Sequence, residues 1–327
     1  MSLEKTVIVA GGAGYIGSQC VLDLKDSSYT PVVVDNFSRG HRFIAERLGV
    51  ELCEGSLEDQ TFMTNVLKTY RPVAVMHFAA YAYVGESVSD PALYYHNNVA
   101  TTLSLLDAMK AQNVMNFIFS STCATYGIPQ TVPLTEETPQ NPISPYGFTK
   151  LVVERILRDY ESAYGMRSMI FRYFNAAGGH PSAQIGELHD PETHLIPLAI
   201  NAALGKGELT VLGNDYDTPD GTCIRDYIHV ADISKAHILG LEYLLKEKKS
   251  NILNIGTGTG TSVLEIIKAV EKVSGKKVPY KFGERRAGDP PRLVASSGKI
   301  QRELSWTPKY TDIEEIVRTA WNWHEKQ

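Results

Sequence analysis

Tyr146 and Lys150 stand four residues apart, and Tyr146 follows the pair Ser121-Thr122 by 24 positions. On a helix, residues four apart share one face, so the lysine ammonium can reach the neighbouring phenol. A free phenol titrates near pH 10, and bringing it to about 7 takes roughly 4 kcal/mol in favour of the phenolate. A nearby cation is one source of that energy. The pair is therefore a candidate acid or base working at neutral pH. Its spacing arises often by chance, so the weight falls on the elements that would hold it.

Short apolar runs recur between helix-like segments: Thr6 to Ala10, Val32 to Asp35, Val73 to Phe78, Asn116 to Ser120 and Ser168 to Tyr173. Nearly continuous apolar strands rich in β-branched residues predict a parallel sheet covered on both faces. The expected fold is α/β, a Rossmann-type doubly wound sheet with a smaller, interleaved C-terminal lobe. In such sheets ligands bind at the carboxyl ends of the strands. The runs end there in Gly11-Gly12, Asp35-Asn36, Ala79-Ala80, Ser121-Thr122 and Asn175. Beyond Asn175, glycines and prolines break the pattern into short pieces. It resumes at Asp232 to Lys246, a predicted helix, and Asn251 to Ile255, a predicted strand able to rejoin the sheet. Residues 1–175, rejoined by about 226–256, are expected to form the nucleotide-binding domain. Residues 176–327, mainly 176–225 and 257–327, are expected to form the second lobe. In the tail from Ile313 to Lys326, Ile313, Ile316, Val317, Ala320 and Trp321 fall at helical spacing and predict a core-packing helix.

Gly11, Gly14 and Gly17 occupy the first, fourth and seventh places of a turn between the first strand and a helix-like run that includes Tyr15 and Ile16. Glycines there permit a tight turn, close approach of backbone to a pyrophosphate, and close helix packing. Asp35 ends the second strand, where a carboxylate can accept hydrogen bonds from both hydroxyls of an adenosine ribose. It would repel a 2'-phosphate, which favours NAD over NADP; Arg39 nearby weighs the other way.

The chain has 327 residues, 43% of them hydrophobic and 21% charged, the make-up of a soluble globular protein with about two domains or one enlarged α/β unit. A formal charge of -5 without a basic tract argues against nucleic acid or a membrane surface as partner. Cys20, Cys53, Cys123 and Cys223 are far apart and show no metal-ligand spacing, so reduced thiols and no metal are expected. With no signal peptide and no membrane-spanning run expected, the cytoplasm is the expected location.

The order Gly11 to Gly17, Asp35-Asn36, Ser121-Thr122, Tyr146 and Lys150 resembles the extended short-chain dehydrogenase/reductase superfamily. Longer stretches narrow the resemblance: His77-Phe78-Ala79-Ala80, Val84-Gly85-Glu86-Ser87, Tyr94-Tyr95-His96-Asn97-Asn98, Phe171-Arg172-Tyr173-Phe174-Asn175, Asp220 to Tyr227, and Arg285-Arg286-Ala287-Gly288-Asp289. Together they resemble the UDP-glucose 4-epimerase family, from about residue 5 to about residue 324. The resemblance implies an NAD-dependent isomerase acting on a UDP-sugar, most simply interconverting UDP-glucose and UDP-galactose through a 4-keto sugar. Tyr146 would remove the proton of the sugar 4-OH, Lys150 would bond the nicotinamide ribose and lower the phenol pKa, and Thr122 would hydrogen-bond the reacting oxygen. No net oxidation results.

The same resemblance implies cofactor contacts from Gly11, Gly14, Tyr15, Ile16, Gly17, Asp35, Asn36, Ser56, Leu57, Phe78, Ala79, Ala80, Asn97, Tyr146, Lys150 and Tyr173. It implies substrate contacts from Thr122, Tyr146, Asn175, His194, Leu195, Leu212, Arg225, Tyr227, Arg286 and Asp289, the arginines on phosphate oxygens. Ser56 stands where relatives have an Asp on the adenine, Ala82 where some have a Lys, and His194 where some have an Asn. The segments Tyr83 to Ser87 and Ser121 to Gly127 also resemble epimerases of UDP-xylose and UDP-arabinose, and the size of Leu293 leaves UDP-N-acetylhexosamines open. A 4,6-dehydratase would need an Asp-Glu pair directly after Thr122, where Cys123-Ala124 stand. A homodimer is implied, joined by helices near residues 98–112 and 146–164.

Overall fold

The computed structural model describes residues 5–286 and 289–327. Along the chain its strands are β1 (Thr6–Ala10), β2 (Thr30–Asp35), β3 (Glu51–Glu54), β4 (Ala74–His77), β5 (Asn116–Thr122), β6 (Arg167–Tyr173), β7 (Asn175–Ala177), β8 (Leu209–Leu212), β9 (Ile224–His229), β10 (Asn251–Ile255), β11 (Gly260–Ser262), β12 (Tyr280–Gly283) and β13 (Arg292–Leu293). Its helices are α1 (Tyr15–Asp26), α2 (Arg42–Leu48), α3 (Gln60–Tyr70), α4 (Val84–Ser89), α5 (Pro91–Tyr94), α6 (Thr101–Ala111), α7 (Pro145–Tyr164), α8 (Leu195–Ala203), α9 (Val230–Glu247), α10 (Val263–Ser274), α11 (Gly298–Leu304) and α12 (Ile313–His324). None of the described helices is long and apolar enough to cross a membrane.

Among the described residues, seven strands form one sheet in the order β10-β6-β5-β4-β1-β2-β3. The pairs β1 with β2, β1 with β4, β2 with β3 and β4 with β5 all run parallel. Chain order reverses between β1 and β4, which opens a crevice at their carboxyl ends. The apolar runs of the sequence coincide with these strands because both faces are covered: Val7, Ile8, Val9 and Ala10 are each 0% exposed.

Two compact units make up the chain. The first comprises Met1–Gly127, Gln140–Arg172 and Ser234–Leu253. Its core joins Ile8, Val32, Val75 and Phe117 of the strands to Met63, Leu105, Leu106, Val153 and Leu157 of the helices. Burying one such side chain contributes about 1.5–3 kcal/mol. Helix α7 is delimited at both ends: Ser144 Oγ accepts from Gly147 N at 3.2 Å, Pro145 opens the first turn, and Gly165 closes the last at φ 72°.

The second unit comprises Ile128–Pro139, Tyr173–Ile233 and Asn254–Gln327. Helices α8, α10 and α12 pack through Ile196, Ile200, Ile266, Val270, Ile316, Val317 and Trp321. A small sheet, β11-β9-β13 with β7 beside β9, and the pair β12-β8 complete it. These boundaries differ from the expected 1–175 and 226–256. Residues 128–139 belong to the second unit because Leu134 bonds Val294 O at 2.8 Å and Ser296 N at 2.7 Å, while Glu136 accepts from Asn254 N at 2.7 Å. An irregular segment that pairs with distant backbone leaves no periodic trace in sequence.

Candidate active site

In the first unit the glycine turn shows a division of labour. A Cβ at Gly11, where φ is +79°, would lie 2.6 Å from Ala79 N, and one at Gly17 would lie 2.2 Å from Gly11 O. These two glycines let β1, β4 and α1 meet. A Cβ at Gly14 would meet only Gly11 O, at 3.4 Å, so this glycine instead keeps space open at the α1 N-terminus. Gly14 is the N-cap there and makes no side-chain capping bond; Tyr15 and Ile16, both half-buried, form the first turn. Open backbone N–H groups at a helix N-terminus suit a pyrophosphate.

Asp35, 7% exposed, accepts from Ala13 N at 2.9 Å through Oδ2 and from Phe37 N at 2.8 Å through Oδ1. Burial raises its pKa while those backbone donors pull it down. Each oxygen retains accepting capacity for a ribose hydroxyl. Arg39, the residue that weighed towards NADP, donates to Glu86 at 2.6 Å and lies over the rings of Tyr81 and Tyr83 at 5.0 and 5.1 Å. These residues fit NAD.

The other predicted cofactor residues lie as follows. Asn36 Oδ1 accepts from Ser38 N, Ser56 Oγ accepts from Glu58 N, and Leu57 is buried in the core. Phe78, Ala79 and Ala80 follow β4, with the Phe78 ring 4.9 Å from that of His237. Asn97 sits in a π-helical turn at Tyr95–Ala100 and donates to Asn98 Oδ1, while the Asn98 amide donates to Tyr81 O and Thr149 Oγ1. Such turns recur at functional sites. Tyr173, the last residue of β6, groups with the second unit.

Tyr146, Lys150 and Glu154 lie at i, i+4 and i+8 along α7, one stripe of the helix. The Tyr94 ring meets Tyr146 edge-on at 6.4 Å, and Thr122 Oγ1, at the end of β5, accepts from Ala124 N at 3.1 Å. Lys150, 3% exposed, donates to Ser120 O at 2.7 Å and lies 4.9 Å from the Phe119 ring centre. The expected lowering of the phenol pKa is not present in the ligand-free chain. Burial pushes Tyr146 up to about 12, with Thr122 pulling the other way. Burial also pushes Lys150 down to about 7, opposed by the charge of Glu154. A lysine whose pKa is depressed gives less positive charge to the phenol.

In the second unit the predicted contacts come from separate elements. Arg225 and Tyr227 share one face of β9, and Asn175 on β7 pairs in register with Tyr227. Arg225 donates to Asp289 Oδ1 at 2.7 Å and to Ile224 O at 2.8 Å, and Asp289 also accepts from Tyr216 at 3.3 Å. Two residues expected to hold different parts of a nucleotide thus hold each other here. Arg286 is exposed and acts electrostatically on both His194 and Cys223. Leu212 ends β8, 39% exposed. His194 is the N-cap of α8, Leu195 its first residue. Burial pulls the His194 pKa down, but the Glu187 carboxylate more than offsets it, so the net direction is up. Ala287 and Gly288 of the arginine motif lie outside the described residues.

Residues 7–256 match the model of the NAD dependent epimerase/dehydratase family. The UDP-glucose 4-epimerase of Rhizobium leguminosarum bv. trifolii is 52% identical over 323 residues, covering 98% of each chain. The chain belongs to the UDP-glucose 4-epimerase family. A solved UDP-glucose 4-epimerase from Brucella ovis in complex with NAD superposes with a TM-score of 0.94 at 50% identity, covering 97% of each chain. One from Bifidobacterium longum, in complex with NAD+ and UDP, gives 0.94 at 39% identity and 98% of each chain.

Beside the residues read as epimerase site residues, the structure places a charge network that the sequence reading missed. Arg172 donates to Glu154 at 2.9 and 2.6 Å and to Tyr126 at 2.9 Å; Ser121 donates to Glu154 at 2.6 Å. Arg172 and Glu154 are each 1% exposed. Its trace in sequence was Glu154, two helical turns beyond Tyr146 on the same stripe, and Arg172 inside an apolar strand.

Proposed function

We propose that this chain catalyses the NAD-dependent 4-epimerisation of UDP-glucose and UDP-galactose, with Tyr146 as acid and base. The observation that carries the reading is the buried Tyr146 phenol on one helix stripe with Lys150, with Thr122 at the end of β5 acting to lower its pKa. NAD, when bound, supplies a hydride acceptor and a positive charge. Gly11, Gly14, Tyr15, Ile16 and Gly17 would cradle its pyrophosphate, Asp35 and Asn36 its adenosine ribose, and Ser56 and Leu57 its adenine. Phe78, Ala79, Ala80, Asn97, Lys150 and Tyr173 would complete its surroundings.

Tyr146 would take the proton of the sugar 4-OH as C4 gives up its hydride to the acceptor, leaving a 4-keto sugar, and would return a proton to that oxygen when C4 regains the hydride on its opposite face. Thr122 holds the reacting oxygen. A phenol near pKa 12 needs added positive charge to act at pH 7, which a bound NAD would supply. Arg225, Arg286 and Asn175 hold the diphosphate; Tyr227, Asp289, Leu195, Leu212 and His194 hold the nucleotide and flank the sugar. Binding the inert diphosphate leaves the hexose free to turn over.

The chain is proposed to be cytoplasmic and homodimeric. Phe148 on α7 and Tyr95, 6.4 Å apart as rings, and Tyr164 at the end of α7 expose 45%, 41% and 49% of their surface, which suits a helix-mediated contact. Sedimentation showing only monomer at assay concentration would reject the dimer. Purified protein should convert UDP-galactose to UDP-glucose ahead of UDP-xylose or UDP-N-acetylhexosamines. Tyr146→Phe should retain NAD binding and lose about 10²–10⁴-fold in turnover; wild-type protein inert on UDP-galactose with NAD bound would sink the proposal.

A further inference from the structure

The spacing of the four cysteines predicts no metal. The structure gathers four other side chains inside the second unit: Glu187, His189, Glu192 and His194, spaced Glu-x-His-x-x-Glu-x-His in the segment that leads into α8. One donor atom from each lies within 4.8 Å of every other. His189 Nδ1 is 3.4 Å from Glu187 Oε1 and 3.4 Å from Glu192 Oε2, and His194 Nδ1 is 3.7 Å from Glu192 Oε1. Four ligands at about 2.1 Å around a tetrahedral ion stand about 3.4 Å from one another. His194 Nδ1 and Glu187 Oε1 are closer, 2.5 Å apart, a hydrogen bond that a metal would replace by opening it roughly 1 Å.

We propose that Glu187, His189, Glu192 and His194 form a binding site for one divalent transition-metal ion, with Zn2+ the best match.

Two imidazoles with two carboxylates favour Zn2+ over Ca2+ or Mg2+, which take oxygen ligands. The two carboxylates balance the ion's charge. The site is enclosed: the Glu187, Glu192 and His189 side chains are 4%, 11% and 18% exposed, and only His194, at 43%, faces outward. Backbone bonds fix the ligands from outside, with Trp323 Nε1 donating to Glu187 O at 2.8 Å, and Thr193 N and His194 N each donating to Glu192 Oε1 at 2.8 Å. The neighbouring His324, 6% exposed, does not neutralise the pair: its Nε2 has no hydrogen-bond partner among the described residues, although it senses the charges of Glu187 and Glu192. The positive end of α8 opposes a cation beside His194, but that effect is screened and weak against four coordinate bonds.

With four protein ligands the site is closed, the structural type rather than the kind that keeps a position open for catalysis. Its role is to lock the segment 187–194 onto α8 and α12, and so to fix where His194 and Leu195 stand. Metal binding itself does not depend on the epimerase reading.

The test uses the purified full-length protein. Elemental analysis after incubation with Zn2+ and desalting should find about one zinc per chain, and dipicolinate should remove it and lower the melting temperature. Zn2+ should restore the melting temperature and Mg2+ should not. Co2+ in its place should show the visible bands of a four-coordinate ion. His189→Ala and Glu192→Gln should each weaken Zn2+ by more than the 10–100-fold that a change behind the ligands costs. Below about 0.1 zinc per chain in wild-type protein, or wild-type affinity in both variants, the cluster is a hydrogen-bonded ion network and the proposal fails. If neither variant folds, the wild-type zinc content and its chelation decide the matter alone.

Discussion

The two units hold their functional groups by opposite means. In the first, Tyr146, Lys150 and Glu154 come from one helix stripe, and Arg172 and Ser121 grip that stripe from neighbouring strands through bonds of 2.6–2.9 Å. In the second, Asn175, Arg225, Arg286 and Asp289 come from separate short pieces of chain, and the one close ion pair among them, Arg225 with Asp289, has side chains 10% and 21% exposed. A buried charge pair on a rigid helix sets geometry and tolerates little change. Arg225 on β9 and Asp289 are less buried than Arg172 and Glu154, and a phosphate taking the place of Asp289 would keep the guanidinium paired.

Breaking the first arrangement should cost most. Glu154→Ala leaves the Arg172 guanidinium buried without its carboxylate, and denaturant unfolding should show a loss of about 3–5 kcal/mol. A loss as small as that of Asp289→Ala would erase the contrast between the units. Next comes Arg225→Ala, expected to weaken UDP by about 1.5–3 kcal/mol, seen as a raised KM with kcat near wild type. An equal fall in kcat would mean that Arg225 acts in the transition state, not as an anchor.

The last effect is a slope. Lys150 titrates near 7 in the folded chain and near 10.5 in the unfolded one. Between those values the unfolded chain binds more protons, so Lys150 makes stability rise with pH across that window, by at most about 1.4 kcal/mol per unit, and its penalty is complete below pH 7. In cofactor-free protein, Lys150→Met should flatten that rise. An unchanged slope would show that the lysine keeps its ordinary pKa.

The same contrast explains what could be read from sequence. β1 and β10 fall at Thr6–Ala10 and Asn251–Ile255, where the apolar runs put them, because a strand buried on both faces writes its own pattern. Gly11 to Gly17, Asp35, Tyr146 and Lys150 were legible because each belongs to a local motif. Glu154 with Arg172 was not, since the partners lie 18 residues apart and a buried pair is invisible to alternation. The depressed Lys150 escaped for a related reason: burial, not spacing, decides its charge. Glu187, His189, Glu192 and His194 did leave a trace, two carboxylates and two imidazoles within eight residues, in a segment where only His194 carried an expectation, as a substrate contact.

The central claim is a redox-neutral inversion at C4, and isotope at that carbon tests it most directly. UDP-galactose carrying deuterium at C4 should give UDP-glucose that keeps the deuterium at C4, because what leaves one face of the sugar returns to the other. Washout into solvent would mean that C4 is inverted by proton exchange, and would contradict the account.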